Sequence, residues 1–149
     1  MTSRSHWLAR PFQLTLSAWS IVVGLLLLAD QVWSGFDPAP SLESLQLPLA
    51  VPIGIAFTAG GIGVHYSYWC KRLTLGKAWT LERLVTLPLA GAWFSYGIAV
   101  VTSSPSRIVQ WGNGIIIGTC YLVRWAAIGK RAQALRGVQR RIRDETVSD

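Results

Sequence analysis

Phe12-Gln-Leu-Thr-Leu-Ser-Ala-Trp-Ser-Ile-Val-Val-Gly-Leu-Leu-Leu-Leu-Ala-Asp-Gln-Val-Trp33 contains a single charged residue, Asp30. A helix crosses the hydrocarbon core of a bilayer in about 20 apolar residues, so this stretch is long enough to span. It follows a basic start with Arg4 and Arg10, as a signal peptide would. The run is longer than the apolar region of a signal peptide, however, and no small-x-small cleavage site follows Leu28. It therefore reads as a first membrane helix.

Outward from this block, the pattern repeats. Further apolar blocks cover residues 47–69, 84–101 and 108–128. Proline falls early in two of them, at Pro48, Pro52 and Pro88, where a missing N–H is best tolerated. The expected fold is all-α: a polytopic membrane protein with a four-transmembrane-helix antiparallel bundle and a basic amphipathic C-terminal helix. Residues 1–128 form the transmembrane domain, with a first helix over 12–33, and residues 129–149 form a basic cytoplasmic tail.

The composition agrees. Of the 149 residues, 51% are hydrophobic and only 14% charged, against about 25% charged in soluble domains. Such a chain is too apolar for disorder. Its formal net charge of +7 is compatible with nucleic acid or an anionic membrane surface. The cations flank the apolar blocks, which favours the membrane. Cys70 and Cys120 have no motif spacing.

Charge placement orients the spans. The N-terminus, the middle loop (Lys71, Arg72, Lys77, Arg83) and the tail are basic, whereas the first loop holds Asp37 and Glu43 and the third only Arg107. With four spans, every basic segment falls on one side, so the positive-inside rule puts both termini in the cytoplasm. The expected location is the inner (cytoplasmic) membrane. Trp7, Trp33, Trp69, Trp79, Trp111 and Trp125 lie near block ends, where an amphipathic ring favours the interface. A faint internal echo places Gly54-Ile55 and Gly114-Ile115 at related points of the two halves.

Small residues mark the helix-packing candidates. Gly114 and Gly118 form a G-x-x-x-G in the fourth block, and Ala56, Gly60 and Gly63 with Gly54 line the second. Such stripes let backbones approach closely. Two uses are open: self-association, or packing of helices two and four within one chain. The polar candidates in or beside the membrane are Asp30, His65, Asn113 and Arg124. Asp30 is expected at headgroup level near Arg107. His65 suits either a backbone hydrogen bond or a proton relay. Asn113 is expected to bond across a helix interface or line a lumen. Arg124 is expected to snorkel to the headgroups.

In the tail, Ile128, Ala132, Leu135, Val138 and Ile142 recur at helical spacing between Lys130, Arg131, Arg136, Arg140, Arg141 and Arg143. Each cation near an anionic leaflet contributes about 1 kcal/mol. The tail is thus either an inner-leaflet anchor or partner-binding helix, or a solvated continuation of helix four. It lacks the interleaved aromatics of a nucleic-acid binder. No zincin, nucleophile-elbow or P-loop pattern occurs. The expectation is a non-enzymatic protein without cofactor or metal site, whose partners are the bilayer and either further copies or another membrane protein.

The short outer turns Pro38-Ala-Pro-Ser41 and Ser104-Pro-Ser106, the span count and the basic tail resemble the small Trp- and Gly-rich four-span membrane proteins of phages infecting GC-rich actinobacteria, holins among them. That resemblance implies a protein that oligomerises into membrane lesions, and it carries over no site residues. Two other readings stand beside it. One is a structural or accessory subunit docking through helix four and the tail. The other is a small transporter or channel subunit using His65, Asn113 and Asp30.

Overall fold

Long apolar stretches satisfy their backbone polar groups internally only as helices, and the chain is all-helical in the segments described. The computed structural model describes residues 11–33, 47–70 and 72–147, with the side chains at 47, 48, 75, 135, 136 and 139–147 outside that description. Four helices follow in order: α1 Pro11–Val32, α2 Leu47–Trp69, α3 Leu75–Ser103 and α4 Ile108–Val147. The first three are long and apolar enough to cross a membrane.

Two boundaries differ from the sequence reading. Helix α3 begins at Leu75 rather than near residue 84, so Lys77, Glu82 and Arg83 lie within it. The charges had suggested a loop, but Glu82 is buried and Lys77 exposed, so the helix accommodates both. Thr74, extended at φ −64° and ψ 154°, precedes its first turn. Helix α4 runs through Ile128 to Val147, 40 residues in all, so of the two readings of the tail it is a continuation of the fourth helix. Its second half lacks proline and is rich in Arg, Gln and Ala, which are good helix formers. The fourth block is also less apolar than the others, because Gln110, Asn113, Thr119 and Arg124 interrupt it.

Close helix packing is made by glycine. A Cβ on Gly24 would lie 2.7 Å from the Gly54 carbonyl oxygen, and one on Gly61 2.7 Å from the Ser17 carbonyl oxygen, so α1 and α2 touch backbone to backbone. Gly60 and Gly63 receive the Leu89 and Val85 side chains of α3. A Cβ on Gly114 would stand 2.8 Å from Gly97 Cα and 3.0 Å from the Trp93 carbonyl oxygen, and one on Gly118 3.2 Å from the Ala90 carbonyl oxygen. Each half of the chain thus closes on a glycine pair, Gly24 with Gly54 and Gly97 with Gly114. The Gly114/Gly118 stripe is covered by α3, not by α2. Ala56 is half-buried against the core.

The core lies between these helices. Leu27, Phe57, Val64, Leu89, Val100 and Tyr121 are fully buried. Trp93 packs on Phe57 with ring centroids 4.6 Å apart and planes tilted by 40°, and meets Tyr96 edge-on at 5.9 Å. The opposite faces are apolar too: Trp19, Leu25, Ile55, Ile62, Leu84 and Ile98 are exposed. In water such a surface would aggregate; in a bilayer it faces acyl chains.

Helices α3 and α4 join through a four-residue turn, where Arg107 N–H donates to the Ser104 carbonyl at 3.0 Å. Trp111 Nε1 donates to the Pro105 carbonyl at 3.3 Å. The first loop, with Asp37 and Glu43, and residues 1–10 lie outside the described residues.

Candidate functional site

Glu82 sits two turns into α3, and only 3% of it is exposed. An unpaired carboxylate there would lose several kcal/mol of hydration. Each of the other three helices supplies a donor to it. Arg124 of α4 donates from Nε at 2.8 Å and from Nη2 at 2.7 Å, both to Glu82 Oε1. Tyr68 of α2 places its hydroxyl 3.1 Å from the same oxygen, and Gln13 of α1 donates from Nε2 at 3.1 Å. The Tyr68 hydroxyl also lies 3.0 Å from Gln13 Oε1, and Arg124 Nη2 reaches its oxygen at 3.3 Å. The result is a charge-assisted network crossing the whole bundle at one level.

The next residues along α3 and α4 also pair. The Arg83 guanidinium lies 4.5 Å over the Trp125 ring. A Cβ on Gly129 would come within 3.4 Å of the Arg83 guanidinium carbon, so glycine there leaves room for it. The adjacent residues Glu82-Arg83 thus grip the adjacent Arg124-Trp125. This fixes the register of α4 on α3 and gives both guanidinium groups a partner within the protein.

A second cluster lies farther from this end. Trp93 Nε1 donates to Ser20 Oγ at 3.0 Å, and Ser20 Oγ lies 3.2 Å from the Tyr121 hydroxyl. Ser20 also donates to the Leu16 carbonyl at 2.9 Å, so the Tyr121 hydroxyl supplies the proton in its contact with Ser20. Ser20→Ala leaves the indole N–H and the phenol buried without their acceptor. Each such group costs about 1–3 kcal/mol. With two groups left without an acceptor, unfolding in detergent should show a loss of about 2–6 kcal/mol, and a loss near zero would mean these bonds carry no weight.

The sequence candidates fare differently. Arg124 does not snorkel: its side chain is 14% exposed and ion-paired with Glu82 at 2.7 Å. An available buried carboxylate holds it against the pull of the headgroups. Asn113 is exposed on α4 rather than buried at a helix interface, since Gly114 takes the contact with α3. Asp30 is half-buried and accepts from Gln31 Nε2 at 3.0 Å. No ion pair joins it to Arg107 among the described residues, and Arg107 Nη1 is buried without a partner. His65 is half-buried and takes no part in either cluster. Asp30, His65 and Asn113 are thus not gathered into one site. Lys130 and Arg131 are exposed on α4, while the side chains of Arg136, Arg140, Arg141 and Arg143 lie outside the described residues. Gln13, Tyr68, Glu82, Ser20 and Tyr121 were not singled out from sequence. One signal for Glu82 was present: it is the only acid in a basic segment, at the same end of the chain's helices as the only arginine inside an apolar block.

Cys70 closes α2 in the turn to α3, where its N–H donates to the Tyr66 carbonyl at 3.0 Å. Its thiol pKa is lowered, first by the hydrogen bond from the Tyr66 side chain and then by the Arg72 backbone N–H. A lowered pKa means the reactive thiolate is present at lower pH than for an ordinary cysteine. The pH profile of maleimide labelling at Cys70 should lie below that of a free thiol, and Tyr66→Phe should move it back up. A profile unchanged by Tyr66→Phe would contradict this.

Comparison with known protein families, characterised proteins and solved structures gave no match.

Proposed function

We propose that the chain is a non-enzymatic four-span protein of the cytoplasmic membrane, with antiparallel neighbouring helices and both termini inside. It acts by binding at the inner face, as an accessory subunit of a larger membrane assembly. The observation that carries this reading is the course of α4. It lies against α3 from Gly114, at Gly97, to Gly129, at Arg83, and α3 is apolar and long enough to span. A helix lying beside a spanning helix over that length occupies the same depth. The charge that makes α4 the least apolar block, Arg124, is met by Glu82, which lowers its cost in the bilayer.

Beyond Gly129, α4 continues to Val147, about 27 Å at 1.5 Å per residue. This basic helix is the binding element, directed at an acidic protein surface or the anionic inner leaflet. The glycine stripes are occupied within the chain, so they are not free to assemble copies. A holin-like permeabilising role is the second reading. It is favoured by the broad apolar outer faces, Trp19 and Leu25 on α1 and Ile98 on α3, which offer lateral contact between copies.

Expression in a bacterial host, with a voltage-sensitive dye and growth followed together, separates the two. An accessory subunit leaves the potential intact and co-purifies with a partner that truncation after Gly129 releases. Sudden delayed depolarisation would reject the accessory reading in favour of permeabilisation.

A further inference from the structure

Helices α1 and α4 do not close against each other as the other neighbours do; they bridge through the side chains of the two polar clusters. Between them runs a groove of about 380 Å³. Phe12 and Leu16 line it from α1, and Thr119, Cys120, Val123 and Ala127 from α4. Gln13 and Arg124 also line it, partway along its length, and Arg124 is already neutralised by Glu82.

Three features point to one occupant. The groove runs along α4 from Thr119 to Ala127, about 12 Å at 1.5 Å per residue. A bilayer core is about 30 Å thick, so this is close to one leaflet's depth and too short to seat a spanning helix of a second copy. Its walls are almost entirely apolar, and the basic half of α4 begins just beyond Ala127. Arg131 falls one turn beyond Ala127 on the same helical face, and both Arg131 and Lys130 are exposed.

We propose that this groove seats one acyl chain of an anionic phospholipid from the inner leaflet, with Arg131 and Lys130 holding its phosphate just beyond the mouth. The inference rests on the four-span reading, which sets the groove at inner-leaflet depth. The lipid would close the α1–α4 side of the bundle and replace the side chains missing there. It would also tie the start of the basic α4 extension to the anionic headgroup layer.

The test uses the full chain. Membrane integration is checked first by resistance to alkaline carbonate extraction. Release by carbonate would overturn both the membrane reading and this inference. The integrated protein is then purified in mild detergent and offered phosphatidylglycerol or phosphatidylcholine, and retained lipid is counted by native mass spectrometry. The expected result is one tightly retained phosphatidylglycerol per chain. Arg131→Gln should weaken retention about five-fold, the factor for one cation near an anionic headgroup. Thr119→Trp, which fills the groove from an exposed position, should abolish it while the helical content stays. Equal retention of the two lipids, retention unaffected by Thr119→Trp, or a dimer joined through Cys120 in place of bound lipid would each overturn the proposal.

Discussion

Arg124→Met should destabilise the folded protein by about 3–5 kcal/mol, the usual cost of removing one partner from a buried ion pair. Glu82, 3% exposed in the native protein, would keep only the neutral donors Gln13 and Tyr68. On the four-span reading Glu82→Leu should cost less, because the freed Arg124 guanidinium would stand near the membrane surface and could turn toward headgroups. The double substitution Glu82→Leu/Arg124→Met should recover most of the loss, since well-packed apolar residues often replace a buried pair at little cost. The measurement is a double-mutant cycle on unfolding free energy in detergent micelles. Losses that add, with no coupling between the sites, would show that the two side chains do not depend on each other.

Gly114→Leu should prevent α3 and α4 from pairing at all. A Cβ at this position already meets backbone, at 2.8 Å from Gly97 Cα and 2.9 Å from Gly97 N. No flexible side chain is there to yield, so the helices must separate. Even Gly114→Ala should cost at least the 1–3 kcal/mol typical of overpacking. Gly112→Ala is the control: nothing lies within 4 Å of its Cβ position, and alanine gains up to about 1 kcal/mol of helix propensity. Circular dichroism melts and sedimentation in detergent separate folding from assembly. A Gly114→Leu protein that melts normally but loses a dimer would place the close contact between copies instead.

The helices themselves were legible because backbone burial in a bilayer leaves the sequence little choice. Residues such as Pro52 and Gly24 mark no breaks, since neighbouring helices compensate. The start of α3 was misjudged because Lys77, Glu82 and Arg83 read as loop charges. Only the third dimension reveals that Arg124, forty-two positions later in the chain, meets Glu82. Arg124 stands out in the sequence as a charge in an apolar block, but its partner does not, because pairing across helices leaves no local pattern. Asn113 looked buried from its place in the block. The rotational phase of α4, set by Gly114 and Gly118 against α3, turns it outward. The glycine stripe was visible, whereas the helix it would meet was not, since small residues permit any close neighbour.

The central claim is that α4 crosses the membrane beside α3, and sidedness tests it most directly. In a chain bearing Cys70→Ser and Cys120→Ser, one new cysteine is placed at Ser106 and, separately, at Gly137. An impermeant maleimide is applied to intact cells and to inverted vesicles. The four-span account predicts labelling of Ser106→Cys only from outside and of Gly137→Cys only from inside. Labelling of both positions from the same side would mean that α4 does not cross.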